Sequence, residues 1–120
     1  MAGRLTTHVL DTVCGRPAAG LAVELFRLDL DLDVRERISM VRTNSEGRTD
    51  GPLLSGDALT EGVYELVFDL GSYFAASGHT NAAIPFLDKV PVRFGVSDAE
   101  ANYHVPLLAS PWSYTTYRGS

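Results

Sequence analysis

Few groups in this chain can do acid–base chemistry: three histidines, His8, His79 and His104, among 120 residues. Imidazole has an unperturbed pKa of about 6.5, so it takes or gives a proton near neutral pH. Guanidinium is planar, always charged and donates several hydrogen bonds, which suits it to an oxyanion. A histidine pair with one or two arginines and a phenol would suffice to activate water beside a carbonyl and stabilise the oxyanion, with no metal. Singly, none of these residues signals chemistry. A lone strand histidine is usually a surface or satisfied residue, Arg48 alone is a loop charge, and Arg118 alone belongs to a chain end. They become a site only if the fold gathers them.

The elements that must do so have a hydrophobic period of two, the mark of half-buried strands. Thr6 to Val13 reads as a strand ending at the turn Cys14-Gly15-Arg16-Pro17. Leu21 to Leu28 alternates, as does Arg37 to Thr43 with Ile38, Met40 and Arg42 opposed to Ser39, Val41 and Thr43. Between those two, Asp29 to Glu36 is charged enough for a solvated hairpin tip. Asn44-Ser45-Glu46-Gly47 has the composition of a turn. Gly51 to Leu54 is a candidate short strand. Gly62 to Leu70, Lys89 to Val96, Asn102 to Ala109 and Trp112 to Arg118 complete the set. Asp69 to Ser77, with Gly78 as a C-terminal stop, predicts two turns of helix. Short strands at regular spacing predict an all-β antiparallel sandwich or barrel in a single domain, 1–120.

Strand parity tests whether the candidate groups converge. Side chains alternate between faces, so His8 lies with Leu10 and opposite Val9. His104 lies with Pro106 and Leu108, opposite Tyr103, Val105 and Leu107. Thr115 and Tyr117 oppose Tyr114 and Arg118. If Val9, Val105, Leu107 and Tyr114 point into the sandwich, then His8, His104, Thr115 and Tyr117 share the outer face of one sheet. Arg48 follows a Gly turn and can reach the rim of that face. Arg118 has the opposite parity from Tyr117, although a strand end can twist.

Composition bounds the function classes. The chain is 45% hydrophobic and 21% charged, with a net charge of −5 and a pI near 5.0. An acidic balance argues against a nucleic-acid or anionic-membrane binder, because both need Lys/Arg stripes. No apolar run approaches the ~20 residues of a membrane span. Met1 to Thr7 lacks the apolar centre of a signal peptide, and Arg118-Gly119-Ser120 is not a peroxisomal address of the Ser-Lys-Leu type. The single cysteine, Cys14, allows no internal disulfide. The expectation is a soluble, cytoplasmic protein.

Three segments together resemble the transthyretin-like family: Thr7-His8-Val9-Leu10-Asp11 with Gly15-Arg16-Pro17-Ala18, then Thr43 to Gly51, then Tyr103 to Ser120. Gly62-Val63-Tyr64-Glu65-Leu66 and Ser72-Tyr73-Phe74 are also similar to it, so the resemblance runs in order along nearly the whole chain. That family holds a carrier of thyroid hormone and hydrolases of 5-hydroxyisourate, an unstable product of urate oxidation. The C-terminal Tyr117-Arg118-Gly119-Ser120 is similar to the signature of the hydrolase branch. His8, Arg48 and His104 match positions where that branch places His, Arg and His.

The resemblance implies two four-stranded antiparallel sheets and a short helix after the fifth strand. It also implies a homotetramer, built as a dimer of dimers with active sites in the channel between the dimers. By the same resemblance, the activity is hydrolysis of 5-hydroxyisourate in urate degradation. His8, His104 and Arg48 are then catalytic, and His8, Arg48, Thr115, Tyr117, Arg118 and Ser120 bind substrate. Which histidine is the base stays open. The competing reading is a carrier that binds a small aromatic ligand in the same channel, but a carrier wants an open, mostly apolar channel.

The remaining groups have plain readings. His79 is expected in a loop, exposed and inert. Cys14 is a turn residue with no base placed beside it. Tyr64, Phe68, Tyr73 and Phe74 are core and helix packing. Asp11 either orients a neighbour or supports its turn. No local ligand spacing such as His-x-Glu-x-x-His or paired Cys is present, so neither a metal nor another cofactor is expected.

Overall fold

The computed structural model describes residues 3–120. Its strands are β1 (Arg4–Asp11), β2 (Arg16–Pro17), β3 (Ala22–Asp29), β4 (Val34–Arg42), β5 (Leu54–Ser55), β6 (Gly62–Asp69), β7 (Lys89–Val96), β8 (Tyr103–Ala109) and β9 (Tyr114–Thr116). One α-helix, α1 (Leu70–Ala76), follows β6, and a 3-10 turn spans Gly56–Ala58.

Two sheets face each other. One has the order β4-β3-β6-β7 and is antiparallel throughout. The other has the order β2-β1-β8-β9, with β5 also pairing β1. In it β1 and β8 run parallel, from Leu5↔Tyr103 to Asp11↔Ala109. The second sheet is therefore five-stranded and mixed, not four-stranded and antiparallel as expected. Alternation reports which face a side chain takes and says nothing of a neighbour's direction. A two-residue strand such as β2 is too short to show a period at all.

The core is the product of that alternation. Leu5 and Val9 on β1, with Val105 and Leu107 on β8, pack against Val23, Leu25, Leu66 and Phe68 of the facing sheet. Leu70 and Phe74 of α1 close one end. Asp69 caps the helix by accepting from the Ser72 amide at 3.2 Å, and Gly78, at φ 78°, follows its C-terminal end. Burial of these apolar faces is the main stabilising term. The same burial leaves Thr6, His8 and Leu10 on the other side of β1, half exposed.

Candidate active site

His8 and His104 occupy adjacent parallel strands. The register pairs His8 with Pro106 and Thr6 with His104. Both imidazoles thus rise from the outer face of one sheet, two residues out of step. With strands about 4.8 Å apart and a rise of about 3.3 Å per residue, their Cα atoms lie roughly 8 Å apart. The buried partners Thr7, Val9, Val105 and Leu107 hold that parity by filling the core side.

His104 is held from three directions. Its Nδ1 lies 2.8 Å from Thr6 Oγ1 on the neighbouring strand. Its carbonyl accepts from the Gly119 amide at 2.8 Å. Gly119 packs so closely on the ring that a Cβ there would lie 2.5 Å from His104 Cδ2. Burial holds the His104 pKa below the usual imidazole value of 6.5, and the nearby Arg48 and His8 push it the same way. The neutral form, able to accept a proton, is therefore favoured at neutral pH.

Arg48 is delivered by the turn before it. Asn44 Oδ1 accepts from the amides of Glu46 and Arg48, at 2.9 and 3.2 Å. Gly47 takes φ 74°, and a Cβ there would strike the Val9 carbonyl oxygen. Its own carbonyl accepts from the Val9 amide at 2.8 Å, and a β-bridge then pairs Arg48 with His8. A residue 40 positions away in sequence from His8 is thereby fixed beside it.

The C-terminal segment borders the same face. β9 pairs with β8 through Leu107↔Thr116, Leu108↔Thr115 and Ala109↔Tyr114, the ladder then lapses, and it resumes at His104↔Gly119. Proline explains the gap. The His104 carbonyl faces the C-terminal segment, so by the two-residue period an amide at 106 would too, and Pro106 has none. The Thr116 hydroxyl donates to the Pro106 carbonyl instead, at 2.8 Å. Across this gap Thr115 and Tyr117 keep the parity of His104. Arg118 does not: its guanidinium lies over the Tyr103 ring at 4.2 Å and donates to the Asn102 carbonyl at 3.1 Å. Ser120 follows Gly119, exposed, at the rim.

The structure thus brings together His8, His104 and Arg48, while Thr115 and Tyr117 share only the backbone parity of that face. It does not bring Arg118 to that face within one chain. The set can take a proton, hold an oxyanion and return a proton.

Comparison with known proteins agrees with this architecture. The HIUase/Transthyretin family matches residues 5–119. The chain belongs to that family. It is 56% identical over 118 residues to 5-hydroxyisourate hydrolase 2 of Rhizobium meliloti, covering 98% of this chain and 97% of the relative. Among solved structures, it superposes on (S)-allantoin synthase with a TM-score of 0.92 and 45% identity, over 99% of this chain and 44% of that one. Sea bream transthyretin in complex with thyroxine superposes with a TM-score of 0.84 and 28% identity, covering 97% of this chain and 94% of that one. The fold is thus common to a hydrolase, an allantoin synthase and a thyroxine-bound transthyretin, and the residues on the outer sheet face must decide between such roles.

Two members of the arrangement escape sequence reasoning. Thr6 shares the parity of His8, but only the β1–β8 register aims it at His104. Gly119 reads as an ordinary terminal glycine until its contact with the imidazole is seen. The signal that pointed to it was the resemblance of Tyr117-Arg118-Gly119-Ser120 to a family motif.

Proposed function

We propose that this chain hydrolyses 5-hydroxyisourate to 2-oxo-4-hydroxy-4-carboxy-5-ureidoimidazoline, with no metal in the reaction and residues 1–120 acting as one domain. The observation that carries the reading is the convergence of His104, held toward its neutral form, with His8 and Arg48 on one solvent-facing patch of sheet. Relatives named 5-hydroxyisourate hydrolase, at 52–57% identity over nearly the whole length, support it.

The chemistry follows from the groups present. With Nδ1–H donating to Thr6 Oγ1, the Nε2 lone pair of His104 is free to take a proton from water. The resulting hydroxide adds to the ring carbonyl carbon. Arg48 stabilises the oxyanion that develops. The carbonyl–nitrogen bond then breaks, the ring opens to a carboxylate, and His8 or the newly protonated His104 supplies the proton that the nitrogen needs. Thr115, Tyr117 and Ser120 border the purine. Arg118 serves the site by anchoring the C-terminal segment on Tyr103, which keeps Gly119 against His104.

A homotetramer with the sites between dimers belongs to the same proposal. Tyr117, 58% exposed, stands in the C-terminal segment that borders the histidine sheet, and β9 is the last strand of that sheet among the described residues. No helix among the described residues is long and apolar enough to cross a membrane. The carrier reading is disfavoured because two imidazoles and a guanidinium line the face where an apolar ligand would have to lie.

The test is optical. Urate oxidase generates hydroxyisourate in a cuvette, the protein is added, and the ultraviolet decay is compared with the spontaneous rate. Marked acceleration at micromolar protein is expected. An unchanged decay rate would reject the proposal.

A further inference from the structure

A second cluster of reactive side chains lies away from the histidine face, on the core-side parity of β1. Asp11 ends β1 and is 1% exposed. Cys14 stands in the turn that follows, and His79 comes just after α1, whose Tyr73 donates to Asp11 beside that turn. One ligand atom from each of the three lies within 4.8 Å of the other two. They border a cleft of about 800 Å³ that also meets Arg16, Arg42 and Tyr73.

We propose that Asp11, Cys14 and His79 form a divalent-metal site, best suited to Zn²⁺, that pins the β1–β2 turn to the segment after α1 and takes no part in hydrolysis. Carboxylate, thiolate and imidazole are the donors that tetrahedral zinc prefers. Bonds of about 2.0–2.3 Å place tetrahedral ligands about 3.3–3.8 Å apart. Reaching that from the present separation takes about an ångström, and Cys14 is exposed and His79 partly so. Asp11 supplies the fixed point. Its Oδ1 accepts from the amides of Val13 and Cys14 at 2.9 and 3.3 Å, and its Oδ2 accepts from Tyr73 Oη at 2.8 Å. The open cleft leaves a fourth position for water.

A cation between the carboxylate and the thiol would be shared by two donors that are anionic when they ligate a metal. Binding Zn²⁺ replaces the thiol proton, which leaves to solvent, and forms the sulfur–metal bond. Arg16 and Arg42 on the cleft wall oppose a cation, while Asp69 at the same wall favours it. Local sequence spacing conceals the set because His79 lies 65 residues beyond Cys14.

Cobalt(II) provides the test, since thiolate coordination gives a near-ultraviolet charge-transfer band and tetrahedral geometry gives visible d–d bands. The full-length protein is titrated with Co²⁺ and then displaced with Zn²⁺, alongside Cys14→Ser, His79→Ala and His104→Asn variants. Wild type and His104→Asn are expected to bind one equivalent per chain with both signatures. Cys14→Ser should lose the charge-transfer band, and His79→Ala should bind more than about tenfold more weakly, since even an outer-shell partner is worth that much. Removing the metal with a chelator should lower Tm and leave hydroxyisourate turnover unchanged. A band that is missing in wild type, persists in Cys14→Ser, vanishes in His104→Asn or is indifferent to His79→Ala would overturn the assignment.

Discussion

Thr6 and His104, 98 residues apart in sequence, meet across the parallel β1–β8 pair with Thr6 Oγ1 2.8 Å from His104 Nδ1. A hydrogen bond at one ring nitrogen decides what the other can do. If Nδ1–H donates to Thr6, Nε2 is left as the acceptor that the reaction needs. Thr6→Val keeps the shape of the side chain and removes the oxygen. Turnover should fall, by less than about a hundredfold because the base itself remains. Thr6→Ser should restore it. Steady-state ultraviolet kinetics on the three proteins check this, and equal rates for wild type and Thr6→Val would remove Thr6 from the mechanism.

Loss of the base is a harsher change. His104→Asn should cut kcat about a hundredfold to ten-thousandfold, the usual contribution of a positioned general base. His104 is half exposed and supports no core contact, so the variant should fold and assemble as wild type does. Size-exclusion elution and Tm should therefore match those of wild type while turnover collapses. Near wild-type turnover would move the base to His8.

The pH profile carries the electrostatic part of the assignment. Burial lowers the His104 pKa from 6.5, and Arg48 and His8 lower it further. At pH 6.5 the neutral form then already dominates, so kcat/KM should stay level there and fall only at more acid pH. Arg48→Gln removes one of the cationic neighbours, and the acid limb should move up towards 6.5 together with a loss of rate. A merely steric role for Arg48 predicts lower activity with the acid limb in its old place. Stability has a matching sign. Between the lowered folded pKa and 6.5 the unfolded chain binds more protons at this site, so stability should rise with pH across that window.

Gly119 offers a test of packing against chemistry. A methyl group there would lie 2.5 Å from His104 Cδ2, too close for either to stay in place. Gly119→Ala should turn the imidazole or lift the chain end, with kcat falling about tenfold to a hundredfold, as sub-ångström misplacement of a catalytic group does. The residue sits outside the core, so Tm should change little. Unaltered kcat would show that the terminal segment yields freely and does not position the ring.

How much of this was legible in the sequence depends on the kind of information each residue carries. The period of two located the major strands, and parity put His8 and His104 each on the outer side of its own strand, since Val9, Val105 and Leu107 had to be buried; that the two strands are neighbours is seen only in the β1–β8 pairing. The helix was legible because Asp69 and Gly78 bracket it. The direction of β8 against β1 was not, because both directions give the same alternation. Without that register, the Thr6–His104 contact has no sequence signature. Arg118 was expected to bind substrate despite its opposite parity from Tyr117, and its guanidinium keeps to the other side, over Tyr103. His79 read as an isolated loop residue, since nothing local records that it meets Asp11 and Cys14.

Tyr73 and Asp11 set the last expectation, which concerns stability alone. Burial by itself would raise the Asp11 pKa, yet the hydrogen bonds from Tyr73, Cys14 and the backbone amides of Val13 and Cys14 outweigh it, and the carboxyl is held below its usual 3.8. Asp11 faces the core side of β1, away from His8, so Tyr73→Phe should leave turnover intact. It removes one donor to a buried carboxylate, which costs about 1–3 kcal/mol. With that donor gone, burial is less opposed and the folded-state pKa of Asp11 rises. The stabilisation from a depressed carboxyl pKa is present above 3.8 and lost as pH falls through the folded value. The gap in stability between wild type and Tyr73→Phe should therefore be widest near neutral pH and shrink below about pH 4. Urea unfolding at pH 7 and pH 3.5 measures both ends. A gap that is the same at the two values would mean that the hydroxyl contributes by packing and leaves the carboxylate's charge untouched.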